Sequence, residues 1–353
     1  MISSVNIHRI GIGESSYEIF KSNKLGEGVY SSVCLGRCIG SLKYGHLVAV
    51  KKIVKSNLSN RGLHMLLSEI EISKGITANS HKNIVSYYDV IDDIDVIYIV
   101  MEYCSNGDFS LLLSKKPIKY EYIKYYFNQI MDALKYLCDN DIIHRDIKPK
   151  NILVTNDNQI IKLCDFGFAK HNAGLKRVVT VCGSPLYMAP EIYNKVGYSG
   201  SVDVWSIGLI LYEMIFGHHP LEKCNDPQKL AQSIITTDID IPKNDNVSDD
   251  CIDLLQQMLK RKDFERITIE NMFKHKWILE CQNQDVKILD NNFTDIYVGS
   301  SIDPTIDSPV NSITESTGES SNICNSYDQC RDNTLEYSSL EKDINCIFSM
   351  DDE

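Results

Sequence analysis

The feature that most constrains this chain is a series of polar motifs set in apolar sequence between positions 142 and 191. The segment I-I-H-R-D-I-K-P-K-N-I-L-V occupies positions 142–154, K-L-C-D-F-G follows at 162–167, and A-P-E stands at 189–191. A single short motif of this kind recurs by chance, whereas several in a fixed order do not. The series therefore predicts a specific catalytic fold.

Two further segments lie upstream. In L-G-E-G-V-Y-S-S-V, positions 25–33, Gly26 and Gly28 let a β-turn bring backbone N–H groups close to a phosphate chain. Alone, this segment is equally typical of a plain glycine hairpin. V-A-V-K at 48–51 is a buried-strand pattern that ends in Lys51, a cation that can pair with nucleotide phosphates. Lys52 suits a solvated edge, but strand alternation points only one of the two lysines inward.

In this combination the chain resembles the eukaryotic-type serine/threonine protein kinases, whose catalytic loop reads H-R-D-x-x-x-x-N and whose metal-binding motif reads D-F-G. The resemblance covers about residues 17–278. It implies an α+β, bilobal protein-kinase fold, with a small β-rich N-lobe carrying one helix (17–101) and a larger helical C-lobe (105–278). Residues 101–109, 165–170 and 180–191 are most similar to the autophagy-initiating kinases and the neighbouring calcium/calmodulin-type group.

The resemblance implies a role for each catalytic residue. Asp146 is the catalytic base, and Lys148 reaches the γ-phosphate and marks the Ser/Thr form of the loop. Asn151 and Asp165 hold Mg²⁺, because hard cations take oxygen ligands. Lys51 completes the set. The implied cofactors are therefore ATP and Mg²⁺.

The resemblance also implies an ATP site with adenine between Val33 and Ala49 on one side and Leu153 on the other. The strand at 101–104 offers backbone hydrogen bonds, with Met101 as gatekeeper. The full set of nucleotide-binding residues is Leu25, Gly26, Glu27, Gly28, Val29, Val33, Ala49, Lys51, Glu69, Glu102, Cys104, Leu153 and Asp165.

A carboxylate from the small-lobe helix must hold Lys51, and L-L-S-E-I-E-I-S-K at 66–74 offers both Glu69 and Glu71. We favour Glu69, because it shares an inner helix face with Leu66 and Ile70. That choice places Ser73 where the family usually buries an apolar side chain. With a serine at that point, the sequence only weakly specifies where the small-lobe helix packs. This gives a reason why the protein would need an activating event.

Thr180 stands at the family's usual activating phosphosite. A phosphate there adds about 1.5–2 negative charges, and Arg145 is its expected partner, with help from Lys176 and Arg177. The alternative is an ordinary loop threonine. Two structural roles are also expected. Asp203 should brace the catalytic loop, because a buried carboxylate needs partners. The resemblance further implies that Glu191 and Arg266 form the family's buried ion pair.

Hydrophobic patterning predicts the elements. Five β-type runs begin at 17, 31, 46, 84 and 96, and a helix is expected around 63–76. A second helix has an apolar stripe of Ile123, Phe127, Ile130, Leu134 and Leu137. The apolar run 202–216 contains charges and is too short for a bilayer, so it predicts a core helix. The segment 251–259 predicts a further amphipathic helix.

Charge divides the chain into two parts. The whole sequence has a formal charge of −12, whereas residues 279–353 alone carry 16 acidic and 3 basic residues, a net −13. This tail is rich in Ser, Thr, Asp and Asn, a composition that predicts disorder. It is either a solvated linker or a docking segment for an unidentified partner, with F-T-D-I at 293–296 and Y-S-S-L at 337–340 as candidate strand-forming motifs. Positions 1–16 are an N-terminal extension.

The composition also limits which partners and which cellular compartment are expected. The acidic balance argues against nucleic acid as the main partner. The first residues lack a basic segment followed by an apolar run, so no signal peptide is predicted. The twelve cysteines lack zinc spacing and suit reduced thiols, which favours a cytoplasmic location.

We therefore expect an active kinase that transfers the γ-phosphate of ATP to Ser/Thr hydroxyls of protein substrates and is activated by phosphorylation in the loop between D-F-G and A-P-E. A pseudokinase scaffold is the alternative, and it would require a broken Lys51, Asp146 or Asp165. A small-molecule phosphotransferase of related fold is the third possibility, but such enzymes lack the G-S-P-L-Y-M-A-P-E segment.

Overall fold

The β-type runs of the first hundred residues form one antiparallel sheet in the computed structural model, which describes residues 7–28, 31–40, 44–113, 118–155, 160–171, 184–194, 199–222 and 226–282. The strand order is β1-β2-β3-β4-β6-β5. Their bounds are β1 Ile7–Ile12, β2 Ser15–Glu27, β3 Ser31–Cys38, β4 Leu47–Val54, β5 Tyr87–Asp92 and β6 Val96–Glu102. All the described residues belong to one compact unit, residues 1–300.

Strand β1 lies inside the predicted N-terminal extension. It pairs with the first half of β2, from Ile7↔Phe20 to Ile12↔Ser15. Ile10 is the one fully buried residue of β1, and it packs into an apolar cluster that includes Tyr98 and Val100. With one buried side chain in six, the strand lacks the two-residue alternation by which strands are recognised, so patterning did not reveal it.

Polar contacts fix β1 to the rest of the sheet. The Glu18 carboxylate lies between Arg9 Nη2 at 2.8 Å and Arg37 Nη2 at 2.7 Å, which joins β1, β2 and β3. Hydrogen bonds from Arg37 and Arg9 lower the pKa of Glu18. His8 Nε2 lies 3.1 Å from the Tyr98 hydroxyl on β6. The described part of the extension, residues 7–16, is therefore part of the sheet.

Helix α1, Asn60–Ala78, confirms the helix expected around 63–76. It begins after Ser59, whose hydroxyl accepts the Gly62 N–H at 3.2 Å and so caps the first turn. Its buried face packs against β5 and the short turn at 166–168, and carries both apolar and polar residues, namely Leu66, Glu69, Ile70, Ile72, Ser73 and Ile76.

The second half of the chain is mainly helical, so the predicted α+β arrangement of a β-rich lobe followed by a helical lobe is confirmed. The five apolar residues of the predicted stripe on α3 are all buried, and α5 is buried from Val202 to Ile215 as expected of a core helix. In the described part of the chain no helix is both long and apolar enough to cross a membrane. The helices are α2 Ser110–Leu113, α3 Tyr120–Asp139, α4 Pro190–Tyr193, α5 Ser201–Phe216, α6 Pro227–Thr236, α7 Asp249–Met258, α8 Ile269–Lys274 and α9 Lys276–Gln282.

Two small antiparallel ladders position the motif loops. Strand β7, Ile142–Ile143, pairs with β10, Lys170–His171, and β8, Ile152–Val154, pairs with β9, Ile161–Leu163. The H-R-D loop runs from β7 to β8, and the D-F-G turn runs from β9 to β10. Because both loops lie between paired strands, they are held side by side.

Candidate active site

Lys51 joins the two lobes at the D-F-G turn. Its Nζ lies 2.6 Å from Glu69 Oε1 on α1 and 3.1 Å from Asp165 Oδ1, and its side chain is only 13% exposed. Burial alone would lower the pKa of Lys51, but the carboxylates of Asp165 and Glu69 outweigh it and raise the pKa above the usual lysine value. Contact with Lys51 in turn lowers the pKa of Asp165. Lys51, Glu69 and Asp165 therefore form one network of ion pairs that holds the three side chains in place.

The choice between the two glutamates of α1 is resolved by the helix face. Glu69 is buried and contacts Lys51, whereas Glu71 is exposed. Residues two apart on an α-helix point about 200° apart, so only one of them can face the sheet. The structure joins Lys51 to Glu69, as the sequence favoured.

Asp146 is the centre of the catalytic-loop network. Its Oδ2 accepts hydrogen bonds from Lys148 Nζ at 2.7 Å and Asn151 Nδ2 at 3.0 Å, while Oδ1 accepts the Ser184 N–H at 2.7 Å. Lys148 Nζ also donates to the Ser184 hydroxyl at 2.5 Å. These contacts orient the buried carboxylate and place a lysine beside it.

Sequence reasoning assigned no role to Ser184. The residue stands in the G-S-P stretch before A-P-E, and its contacts are made with residues more than thirty positions away. The only local signal was its place in a segment that supports a peptide substrate. Ser184 therefore joins the predicted set as a residue that contacts both Asp146 and Lys148.

The backbone of the catalytic loop is braced from below by Asp203, as predicted. The two oxygens of Asp203 accept the N–H groups of His144 and Arg145, each at 2.9 Å. Arg145 has φ 67° and Asp165 has φ 63°, a left-handed conformation that non-glycine residues seldom adopt. The Asp203 contacts satisfy the N–H groups at the first of these bends. Burial raises the pKa of Asp203, partly offset by these hydrogen bonds.

Phe166 fixes the D-F-G turn in the core. It is fully buried, and its ring centroid lies 5.0 Å from that of His144 and 6.2 Å from that of Tyr87. The side chain of His144 contacts the Cys164 carbonyl with Nε2 at 3.1 Å. With Phe166 inward, the preceding Asp165 points to Lys51.

The nucleotide-binding residues predicted in the N-lobe lie on neighbouring strands. Cross-strand pairs join Gly26 to Val33, Val33 to Lys51, and Ala49 to Met101. The Gly28 N–H donates to the Ser31 carbonyl at 2.8 Å and closes the turn, and a Cβ on Gly28 would lie 2.9 Å from Ser31 Oγ. Leu25 and Glu27 belong to the same strand end, and Leu153 lies on β8. Val29 lies outside the described residues.

The connection between the lobes is held by Glu102. Its carboxylate accepts the Ser86 N–H at 3.1 Å and lies 3.1 Å from Lys162 Nζ, and its own N–H donates to the Ser86 carbonyl at 2.9 Å. Cys104 follows and is buried, which raises the pKa of its thiol to about 12. The Glu102 side chain therefore points at β9, and Cys104 is a neutral thiol.

Asn151 and Asp165 are the candidate cation ligands. Asn151 Nδ2 donates to the Asp146 carbonyl at 2.8 Å and to its carboxylate, which leaves the amide oxygen as the atom able to bind a cation. Asp165 uses Oδ1 for Lys51 and is 41% exposed. Across the described residues, no group of three or more His, Cys, Asp or Glu is arranged to hold a metal. Two protein oxygens suit Mg²⁺, which binds one or two carboxylates together with substrate phosphates.

The structure describes only one residue of the predicted regulatory pair of Arg145 and Thr180. Arg145 is described, and its Nε donates to the Phe168 carbonyl beyond the D-F-G turn. Thr180, Lys176 and Arg177 lie outside the described residues.

The segment that leads into A-P-E is anchored to the helical core. Arg266 binds Glu191 in a bidentate pair, at 2.7 Å and 3.0 Å, and both side chains are buried, as predicted. The Tyr187 hydroxyl donates to Glu213 Oε1 at 2.7 Å. Burial raises the pKa of Glu213 to about 7. These contacts hold Ser184 next to the catalytic loop.

Comparison with known proteins agrees with this geometry. A family model described as protein kinase domain matches residues 19–278. The serine/threonine-protein kinase ATG1b of Arabidopsis thaliana is 36% identical over 266 residues, which cover 74% of this chain and 37% of the relative. The serine/threonine-protein kinase ULK3 of Rattus norvegicus is 36% identical over 259 residues, which cover 73% of this chain and 54% of the relative.

A third relative, the serine/threonine-protein kinase atg1 of Dictyostelium discoideum, is 36% identical over 271 residues, or 39% of its length. The chain thus spans roughly two fifths to one half of the curated relatives that it matches. The predicted resemblance to serine/threonine kinases of the autophagy-initiating group is confirmed.

Proposed function

This chain belongs to the protein kinase domain family, and from that premise we propose that it is a serine/threonine protein kinase that transfers the γ-phosphate of ATP to serine and threonine hydroxyls of protein substrates. The observation that carries the proposal is the trio of Lys51, Glu69 and Asp165, held beside the bonded group of Asp146 and Lys148. Phosphoryl transfer has a charge-spread transition state, so the protein has mainly to position groups and neutralise charge.

Asp146 is the catalytic base. It accepts the proton of the acceptor hydroxyl as that oxygen bonds to the γ-phosphorus and the bond to the departing ADP breaks. Its carboxylate is oriented for this by Ser184 and Asn151. Lys148, 2.7 Å from the same carboxylate, neutralises the charge that develops on the transferred group.

Lys51 pairs with the α- and β-phosphates, and Glu69 keeps its ammonium group directed at them. The turn at Gly26 and Gly28 supplies backbone N–H groups to the phosphate chain. Adenine packs between residues of β3 and β4 above and β8 below, and meets the strand end at Glu102. The residues in these contacts are Leu25, Glu27, Val29, Val33, Ala49, Cys104 and Leu153.

Protein kinases use a divalent metal ion, and Mg²⁺ is the ion that we propose here. Asn151 and Asp165 would hold it through oxygen atoms. When bound, Mg²⁺ neutralises the phosphate oxygens during transfer. Its oxygen preference matches the free amide oxygen of Asn151 and the partly exposed carboxylate of Asp165.

Phosphorylation of Thr180 activates the enzyme in this proposal, with Arg145 as the cation that receives the phosphate. Arg145 adjoins Asp146 in sequence and contacts the chain beyond D-F-G, so a charge bound there acts on both loops. A Thr180→Ala variant should lose most activity, and phosphatase treatment should do the same to the wild type. Undiminished activity of the variant would rule this regulation out.

We propose a cytoplasmic location and protein substrates, with no nucleic-acid partner. The cysteines that are described lie as free thiols, which suits a reducing compartment. The first four residues of the predicted acidic tail, 279–282, belong instead to helix α9, where Cys281 is buried and Glu280 pairs with Lys124. The rest of the tail, positions 283–353, is either a linker or a docking segment. Deletion from position 283 onward, followed by kinase assays and pull-downs, separates these two roles, because only a docking segment loses partners.

The proposed function is tested with purified protein, Mg-ATP and generic protein acceptors, followed by phosphoamino-acid analysis. Phosphoserine or phosphothreonine is expected, together with loss of transfer when EDTA removes the metal. An Asp165→Asn variant is the matched control, because it removes one charge from the cation site and leaves the side-chain shape. It should bind ATP weakly and transfer little.

The pseudokinase alternative makes the opposite prediction for the same assay. It requires a broken Lys51, Asp146 or Asp165, and all three residues are present and hydrogen-bonded. Absence of transfer by the wild type, with the protein folded and Thr180 phosphorylated, would favour a scaffold. Transfer to a small molecule but to no protein would favour a small-molecule phosphotransferase.

A further inference from the structure

Helix α1 and the D-F-G turn approach each other closely at Glu69 and Gly167. A Cβ built on Gly167 would lie 3.3 Å from Glu69 Oε2 and 3.3 Å from Asp165 Oδ1. These are the two carboxylates that hold Lys51. Glycine, which has no Cβ, therefore lets the helix come this near to the turn, and the position of the helix depends on that of the turn.

Ser68, the residue before Glu69 on α1, contacts the chain just beyond the same turn. Its hydroxyl donates to the Ala169 carbonyl at 3.0 Å. Ser68 is half-buried and Ala169 is 1% exposed, so the hydrogen bond is largely sheltered from water, which strengthens it. Two consecutive residues of α1 thus meet two different points of the segment 167–169.

The segment that Ser68 contacts is also held from the C-lobe. Arg145 Nε donates to the Phe168 carbonyl, and Lys170 pairs with Ile143 where β10 meets β7. These contacts bind the chain beyond D-F-G to the catalytic loop and to the strand that leads into it. The Ser68 hydroxyl joins the same stretch of backbone to the N-lobe helix.

We propose that the hydrogen bond from Ser68 to Ala169 fixes the rotation of α1 that directs Glu69 at Lys51. Ser68 is then a positioning residue for phosphoryl transfer, and this inference rests on the proposed function. Glutamate has a long, flexible side chain, so its ion pair alone leaves the helix some freedom to rotate about its axis. Serine is short, lies about 100° round the helix from Glu69, and makes a hydrogen bond with a narrow range of distance and angle.

The test begins with Ser68→Ala, which removes the hydroxyl and keeps the helix, because alanine is the best helix former. The kcat should fall about three- to fivefold, as expected when one net hydrogen bond is lost from the aligned state. The KM for the protein acceptor should not change, since the contacts of Ser184 with Asp146 are left intact. The midpoint of urea unfolding should equal that of the wild type.

Two further variants isolate the hydroxyl. Ser68→Thr keeps the donor and should retain at least about half of the wild-type kcat. Thr236→Ala removes an exposed hydroxyl that donates to the carbonyl four residues earlier on α6, and it should keep the wild-type kcat.

Hydrogen–deuterium exchange in protein without nucleotide gives a readout that does not depend on turnover. The amides of residues 66–71 and 166–171 should exchange several-fold faster in S68A, and at the wild-type rate in S68T and T236A. A wild type that transfers no phosphate would refute the proposed function, while exchange would still test the contact between α1 and the turn.

Unchanged kcat and unchanged exchange in S68A would overturn the proposal, as would a loss of kcat in S68T equal to that in S68A. Faster exchange throughout the chain of S68A, with a lower urea midpoint, would show that Ser68 supports the fold in general and would also overturn it. Failure of S68A to yield soluble protein would have the same meaning.

Discussion

The Ser184 N–H lies 2.7 Å from Asp146 Oδ1 and joins the segment before A-P-E to the catalytic loop. The two oxygens of Asp146 are thus held from two directions, since Lys148 and Asn151 bind the other oxygen. The proposed base is thus held by residues that precede D-F-G and by a residue that stands just before A-P-E. The segment before A-P-E therefore contacts this carboxylate directly.

Replacement of Asp146 by Asn should lower kcat by roughly 10²–10⁴, because the amide cannot accept the acceptor proton. Steady-state kinetics with a protein acceptor measures this, and thermal unfolding checks that the fold persists. Asp139→Asn is the control, because Asp139 lies at the surface, where its carboxylate pairs with Lys135. A loss of less than tenfold in D146N would argue against its role as base.

Replacement of Glu69 by Gln should lower kcat/KM by up to about 100-fold, because removing one charge from a buried pair costs about 3 kcal/mol. Glu71→Gln, two residues along the same helix, is the matched control, and it should change kcat/KM less than twofold because Glu71 is exposed. Kinetics with varied ATP measures both. Equal effects of the two substitutions would show that Lys51 is held in another way.

Replacement of Asp203 by Asn should destabilise the fold by about 2–4 kcal/mol, because one acceptor is replaced by an NH₂ group that faces a buried backbone N–H. The His144 and Arg145 N–H groups are the ones affected. Urea unfolding measures the loss. Asp253→Asn, at an exposed position on α7, serves as control. A change below about 0.5 kcal/mol in D203N would contradict the bracing role.

Glu213 should make stability depend on pH. Its pKa rises from 4.5 to about 7 on folding, so between these values the folded state binds the extra proton, and stability falls as pH rises. The loss amounts to about 3 kcal/mol across this window. Glu213→Gln keeps an acceptor for the Tyr187 hydroxyl and does not titrate, so its stability relative to the wild type should increase from pH 4.5 to 7.5.

Urea unfolding of both proteins at several pH values measures this difference. His219, whose pKa is lowered to about 4 by burial, titrates in the opposite sense, but it does so in both proteins and cancels. A difference between the two proteins that stays constant with pH would disprove the assignment.

Replacement of Ile10 by Ala should cost about 2–4 kcal/mol of stability, because Ile10 fills the apolar cluster under β1. Ile12→Ala, two residues away on the same strand and 91% exposed, should cost almost nothing. Chemical unfolding compares them. Equal small effects would show that residues 7–12 contribute little to the fold.

Helices and strands could be predicted from the sequence where all the residues on one face are buried. The stripe on α3 and the apolar run of α5 are such cases, because periodicity reports burial directly. Strand β1 could not be predicted from hydrophobic patterning, because Ile10 is its one buried residue. Its other contacts are with residues on neighbouring strands, and no local sequence pattern encodes them.

The sequence by itself identified the candidate catalytic residues, since Lys51, Asp146 and Asp165 stand in motifs whose residue types the proposed reaction requires. The tertiary structure alone decided which groups meet, because contacts such as Ser184 with Asp146 and Glu102 with Lys162 join positions distant along the chain. Motifs record what each residue can do. Hydrogen bonds and ion pairs depend on distances of a few ångströms, and packing of helices and strands sets those distances.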